Sequence, residues 1–289
     1  AGASTLGLLI PPSIIMIVYG VAADVSISQL FIAGVLPGLL LASLFSGYIM
    51  VWALRHPGQV PAADARMTLA QKLSASKSLI PVVLLISAVL GSIYTGVATA
   101  TEAAAVGVVG SLVLSALQGS LGWDTFRGAL MGATRLYCMI ALILAGAAFL
   151  TLSMGYIGLP RHLAEWIASL GLSRAQLIVA LAIFYIILGC FLDGISMVVL
   201  TMGVLMPTVQ AAGIDAVWFG IFVVLVVEMA QITPPVGFNL FVLQGMTERQ
   251  LPWIARVTLP MFLLMCGAVT LIYVFPGIVT WLPQQMAAR

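Results

Sequence analysis

Apolar residues run along this chain in long stretches separated by short polar passages, and the stretch lengths predict its elements. A helix needs roughly 20 apolar residues to cross a hydrocarbon core of about 30 Å. Residues 30–54 contain no charge, which predicts one clean span, and residues 24–29 before them form a polar turn. Residues 78–118 carry a single charge, Glu102, within the polar passage 94–102, which predicts two spans joined at a hinge. Further spans are predicted at 136–154 and 257–282. Residues 160–171, with Arg161, His162, Glu165 and Trp166, have the pattern of an amphipathic helix lying at an interface, as do residues 67–79. The loop 55–77 carries Arg55, Arg66, Lys72 and Lys77 against Asp64, and 119–135 carries Arg127 and Arg135. An excess of basic residues places both loops in the cytoplasm.

Two of the apolar runs are interrupted by consecutive prolines. Pro11-Pro12 lies in the first run, 1–21, and Pro234-Pro235 in the run 217–243. Each pair removes two amide donors and clashes with the preceding turn, so a helix cannot continue through it. At membrane depth such a break survives only where protein or a watery cavity satisfies the freed carbonyls. Sliding the chain on itself by 223 residues superposes the two diproline passages, places Leu36-Pro37 on Leu259-Pro260, and places Leu40-Leu41 on Leu263-Leu264. This register predicts an internal repeat, a recurrent plan in secondary transporters. Residue 1 falls on residue 224 in it, so the first half is also expected to have an upstream segment matching about 189–223.

Residues 176–210 are apolar except for Asp193-Gly194-Ile195-Ser196 at their centre. They allow either one crossing helix with a loop or a re-entrant hairpin with its tip at 193–196. Arg249 and Arg256 mark the turn after the second broken run as cytoplasmic. The number of crossings between the two basic turns must therefore be even, which selects the hairpin. The same count puts Asp24 outside and Arg249 inside, so the two halves point in opposite directions. The predicted fold is an all-α polytopic membrane protein with inverted repeats, discontinuous helices and a re-entrant hairpin. It divides into 1–54, the end of the first repeat; 55–77, a cytoplasmic connector; 78–154, three spans; 155–175, an interfacial helix; and 176–282, the second repeat.

Composition agrees with this picture and excludes alternatives. Hydrophobic residues make up 62% of the 289 and charged residues 7%, where a soluble domain carries about 25% charged residues. A formal charge of +2 with no basic run leaves no groove for nucleic acid. Cys138, Cys190 and Cys266 lie in apolar segments without CxxC spacing and read as small core residues. Catalysis is not expected. No HExxH occurs, both histidines, His56 and His162, fall in loops, and only Asp193 among the aspartates lies deep in an apolar run.

The candidate chemistry lies at the breaks. The ends of half-helices offer unpaired carbonyls to a cation and unpaired amides to an anion. Ser4, Thr5 and Ser13 beside the first break, and Thr233 and Asn239 beside the second, add small oxygen-bearing side chains. A packing role, in which prolines and hydroxyls merely kink helices, competes with this reading. Three acids sit in apolar sequence: Asp193, Glu228 and Glu102. An ionised acid at the bilayer centre costs about 2.5–3.5 kcal/mol on the insertion scale, so such residues usually serve a function. For Glu102 and Glu228 a helix-start cap competes, since Thr99 and Thr101 precede an alanine-rich helix.

Four motifs in order, Gly-Leu-Leu-Ile-Pro-Pro-Ser (7–13), Thr-Ala-Thr-Glu-Ala-Ala-Ala-Val-Gly (99–107), Phe-Leu-Asp-Gly-Ile-Ser-Met (191–197) and Ile-Thr-Pro-Pro-Val-Gly-Phe-Asn-Leu-Phe (232–241), resemble the large membrane subunit of TRAP transporters, the tripartite ATP-independent periplasmic systems. The resemblance implies sodium-driven, elevator-like import of a small organic anion, such as a C4-dicarboxylate or sialic acid, across a bacterial inner membrane. No cofactor is implied beyond the coupling ion. It also implies two partners, a small four-helix membrane subunit and a periplasmic binding protein. One sodium would meet backbone oxygens around Gly7, Ile10 and Pro11. A second would sit among Asp193, Gly194, Ser196, Ala230, Thr233 and Val236. Substrate contacts would fall to Ser4, Thr5, Ser13 and Asn239, while Pro12, Pro234, Pro235, Glu102 and Glu228 support the site. The chain departs from the family pattern at Ala230, where glycine is usual and an added methyl could crowd the second site, and at Ala100, where proline is usual. The alternative is a stand-alone sodium/dicarboxylate symporter without a binding protein.

Overall fold

The computed structural model describes residues 2–59, 68, 71, 76–235, 237–247 and 249–287. Val236, most of the connector 55–77 and most of its expected amphipathic stretch 67–79 lie outside the described residues. Those that are described form α-helices and two short 3-10 turns, with no strand among them. Five of the helices are long and apolar enough to cross a membrane.

The diproline passages break the chain where the sequence predicts. Helix α1 (Gly2–Leu9) stops before Pro11-Pro12, and α2 (Ile14–Ala23) restarts after it with Ser13 as its N-cap, accepting from the Met16 amide at 3.4 Å. Asp24 closes α2 in the left-handed region, at φ 54°, which a short polar side chain tolerates. Helix α3 (Ile27–Arg55) follows, with Pro37 inside it.

Helices α4 (Ile80–Tyr94) and α5 (Ala100–Leu117) occupy the two expected spans with a turn at 95–99, but only α5 is long and apolar enough to cross a membrane, α4 being a shorter apolar helix of 15 residues. Next comes α6 (Trp123–Ile157), which corrects the sequence reading: the stretch 119–135 is helical from Trp123, and one 35-residue helix carries both the basic residues and the span. The basic residues interrupt the apolar pattern without interrupting the backbone hydrogen-bond ladder. Helix α7 (Leu159–Ser169) is the predicted amphipathic element.

Helices α8 (Arg174–Gly189) and α9 (Gly194–Ala211) form the hairpin around Asp193, the N-cap of α9. The second broken run gives α10 (Ala216–Gln231) and α11 (Phe238–Thr247) on either side of Pro234-Pro235. Helix α12 (Leu251–Val274) carries Pro260. A separate α13 (Gly277–Ala287) replaces the tail of the single span predicted to 282, because Phe275 leaves helical geometry ahead of Pro276. The repeat thus recurs in the elements: each half has a helix, a cis diproline, a ten-residue helix and a long helix with an internal proline.

The chain forms two compact units. One comprises residues 1–45 and 138–289, the other 46–137. In the first, α10 is the central element: every residue from Trp218 to Ala230 is buried, and α1, α2, α8, α9, α11, α12 and α13 all pack on it. Its anchors include the Tyr19 hydroxyl, which donates to the Ala216 carbonyl at 2.7 Å, and the Trp218 indole, which donates to the Ile272 carbonyl at 3.0 Å. In the second unit α4 and α5 pack together, and Gly110 leaves the space that Leu85 fills: a Cβ there would lie 2.3 Å from its Cδ1.

Candidate functional site

In a continuing helix the carbonyls of Gly7 and Leu8 would accept from residues 11 and 12, and those of Ala230 and Gln231 from residues 234 and 235. All four of those positions are proline, so the last carbonyls of α1 and α10 lose their usual donors. Local groups take up part of the deficit. At the first break the Ser13 hydroxyl donates to the Leu8 carbonyl, and the Ile10 amide to Leu6 at 2.8 Å. At the second, the Thr233 hydroxyl donates to the Met229 carbonyl at 2.6 Å and the Thr233 amide to Ala230 at 3.1 Å. A hydroxyl that donates once keeps lone pairs for a cation, and half-helix C-terminal carbonyls are the oxygens with which broken helices hold alkali ions.

The hairpin tip meets both broken helices. A Cβ on Gly194 would lie 2.7 Å from Val227 Cγ1 of α10, 2.9 Å from Ile15 Cδ1 of α2 and 3.2 Å from the Gln231 side-chain nitrogen. Only glycine lets three elements close this tightly. Asp193 accepts from the amides of Ile195 and Ser196 at 3.1 and 3.2 Å and from the Ser196 hydroxyl, so its carboxylate is fixed by its cap while remaining exposed. Next to the tip, the Cys190 thiol donates to the Pro234 carbonyl at 3.3 Å. Asn239 Nδ2 donates across the second break to Gln231 Oε1 at 3.2 Å.

Thus Gly194, with its neighbours Asp193 and Ser196, sits against α2 and the end of α10. Ala230 is fully buried, and its methyl faces Gly189, where a Cβ would come within 2.3 Å of it. The extra methyl is therefore accommodated by a glycine of α8. Gly7, Ile10 and Pro12 are exposed, Pro11 is buried, and Ile10 packs on Gly38 of α3. Ser4 is exposed and Thr5 buried. Ser13 is buried with its hydrogen committed to the first break. Pro234 and Pro235 are exposed, and Thr233 and Asn239 half-buried.

Glu102 is a cap. Its carboxylate accepts from the Thr99 amide and hydroxyl, both at 2.8 Å, while its own amide donates back to Thr99 at 3.3 Å, and it lies exposed in the other unit. Glu228 is not a helix-start cap: it sits in the last turn of α10, completely buried, with the Thr5 hydroxyl engaging its carboxyl.

Gln231 was missed by the sequence reading. A single glutamine closing an apolar helix carries no periodic signal, and only its distance of three residues from the diproline could have marked it. A cavity of about 850 Å³ lies elsewhere, between α2, α6 and α9, lined by Val21, Ala147, Thr151, Tyr156 and Gly203. Its lining is mostly apolar, and it contains none of the residues above.

An all-α membrane fold whose two broken helices close on the tip of a helical hairpin defines this chain as a polytopic membrane protein of the discontinuous-helix type. The chain belongs to the family of TRAP transporter large permeases: the model of the "Tripartite ATP-independent periplasmic transporter, DctM component" matches residues 1–278. It is 32% identical over 285 residues to the C4-dicarboxylate TRAP transporter large permease protein DctM of Pseudomonas aeruginosa, covering 98% of this chain and 66% of that one. It is 34% identical over 295 residues to the ectoine/5-hydroxyectoine permease UehC of Ruegeria pomeroyi, covering 97% and 65%. Against the sialic acid permease SiaM of Vibrio cholerae the identity is 29% over 287 residues, covering 98% and 66%. The chain therefore spans about two thirds of the length of these relatives, which are named as permeases and not as enzymes.

Proposed function

We propose that this chain is the transporting part of a sodium-coupled symporter that imports a small organic anion across a bacterial inner membrane. The observation that carries the reading is the closure of Gly194 on α2 and α10, which gathers the hairpin tip and the second break. One sodium is held by the carbonyl end of α1 around Gly7, Ile10 and Pro11. The other is held by Asp193, Gly194 and Ser196 together with Ala230, Thr233 and Val236. Ser4, Thr5, Ser13 and Asn239 are the substrate-side polar groups. The relatives are named for C4-dicarboxylates, sialic acid and ectoine, small polar molecules that share a carboxylate, and hydroxyls and amides at half-helix ends suit that group. A periplasmic binding protein delivers the substrate, and a small four-helix membrane subunit accompanies the permease.

The test is uptake of a panel of labelled organic acids into vesicles containing the full-length permease with its small subunit. Uptake driven by an imposed sodium gradient and dependent on the binding protein is the expected result. Uptake that ignores the binding protein points to the stand-alone symporter, and uptake driven by a proton gradient but not by sodium overturns the coupling ion.

A further inference from the structure

The two arms of the hairpin have different neighbours. Helix α8 packs mostly on α10, whereas α9 packs mostly on α2 and α7, and the arms make little contact with each other. Among the described residues one side-chain hydrogen bond joins them: the Tyr185 hydroxyl of α8 lies 2.6 Å from the Thr201 hydroxyl of α9. Both residues are buried, Tyr185 completely. The Thr201 hydroxyl gives its own hydrogen to the Met197 carbonyl at 2.8 Å, so Tyr185 is the donor to its oxygen. A short relay therefore runs from Tyr185 through Thr201 to the first turn of α9. Met197, where it ends, directly follows Ser196, and its amide donates to the Asp193 carbonyl at 3.0 Å. The Met197 side chain also fills the space beside the last residue of α8, since a Cβ on Gly189 would lie 3.0 Å from its Cε. The relay thus crosses the hairpin just below the tip that carries Asp193, Gly194 and Ser196. A phenylalanine would bring the same ring to this place without a hydroxyl that is costly to bury unpaired, so packing alone does not call for tyrosine.

We infer, on the sodium-coupled reading above, that Tyr185 is a positioning residue of the second sodium site, acting through Thr201 and Met197 to fix the separation of the hairpin arms beneath the tip. It touches no ion itself. Without the bond the arms, held by different neighbours, part more readily and the tip spreads. The affinity of that one site falls while the number of sites stays the same.

Equilibrium binding of radiolabelled sodium to the purified full-length permease tests this. Tyr185→Phe is expected to bind as many sodium ions as the parent protein, with one class of sites weakened roughly two- to tenfold, the scale of one lost hydrogen bond. Thr201→Val weakens the same class, Thr201→Ser keeps parental affinity, and the double variant Tyr185→Phe/Thr201→Val falls no further than Thr201→Val. In an Asp193→Asn background, where the second site is lost, Tyr185→Phe leaves the remaining affinity unchanged. Tyr19→Phe separates positioning from stability: it removes another buried tyrosine hydroxyl, bonded to the Ala216 carbonyl at the opposite end of α10. It should lower the unfolding temperature about as much as Tyr185→Phe and keep parental sodium affinity. If Tyr185→Phe fails to fold, the Thr201→Val and Thr201→Ser pair decides alone. Parental affinity in Tyr185→Phe, or in Thr201→Val where that pair decides, overturns the positioning role, and so does an equal loss of affinity in Tyr19→Phe. Absence of sodium binding by the parent protein instead defeats the coupling reading, and the role of Tyr185 with it.

Discussion

Asn239 Nδ2 donates to Gln231 Oε1 at 3.2 Å, a hydrogen bond that spans the cis Pro234-Pro235 passage and ties α11 back to the end of α10. Because Gln231 also faces the hairpin tip at Gly194, this bond sets the distance between the tip and the second half-helix. Replacing Asn239 by Ala should cost about 0.5–1.5 kcal/mol, and the loss should fall on the site. The expected result is a several-fold rise in the sodium concentration that half-saturates uptake, read from sodium-titrated uptake, with a smaller change at Gln231→Glu, which keeps an acceptor. Equal sodium dependence in parent and variant would remove the bond from the account of the site.

The methyl of Ala230 and the Cα of Gly189 are matched. Gly189→Ala adds a Cβ 2.3 Å from the Ala230 Cβ and 3.0 Å from Met197 Cε, and such overpacking typically costs about 1–3 kcal/mol. Thermal unfolding of the full-length protein should show that loss. Ala230→Gly in the same molecule should return much of it, giving a coupling of at least about 0.5 kcal/mol in a double-mutant cycle. Additive effects of the two changes would mean that the helices separate instead of sharing the space.

Local rules made the breaks readable. Two prolines in succession stop a helix wherever they fall, and a polar Asp193-Gly194 in an apolar run marks a turn with an N-cap. The 223-residue register followed from those same prolines. Other features depend on what is distant in sequence. The start of α6 at Trp123 was hidden because Arg127 and Arg135 break the apolar pattern and not the hydrogen-bond ladder. The pairing of Thr5 with Glu228 needed the folded chain, since nothing local in either segment says that the matching positions of the two halves touch. Gln231 was overlooked for the same reason: its importance comes from the glycine at 194 that it approaches.

Glu102 serves its helix. With Thr99 it completes a reciprocal cap at the start of α5, and substitution of a capping group typically costs about 1 kcal/mol. Glu102→Ala should therefore lower the unfolding temperature by a few degrees while leaving sodium binding by the purified protein at parental stoichiometry. Loss of a bound sodium in that variant would return Glu102 to the site.

Charge predicts an opposed orientation of the two halves, which can be measured directly. Arg249 stacks its guanidinium over Trp253, 5.2 Å from the ring centroid, at the turn between α11 and α12. An arginine and a tryptophan together are a pairing suited to a membrane boundary, and Arg256 adds a second positive charge within one turn of Trp253. The positive-inside rule predicts that this turn lies in the cytoplasm. The equivalent turn between α2 and α3 holds Asp24 and no basic residue, which frees it to lie outside. In a protein with Cys138, Cys190 and Cys266 replaced, a cysteine substituted for Ser26 should react with an impermeant maleimide added to intact spheroplasts. One substituted for Gln250 should react only after permeabilisation. Labelling of both from the same side would make the repeats parallel, and a two-fold axis in the membrane plane, on which alternating exposure of the breaks depends, would no longer relate them.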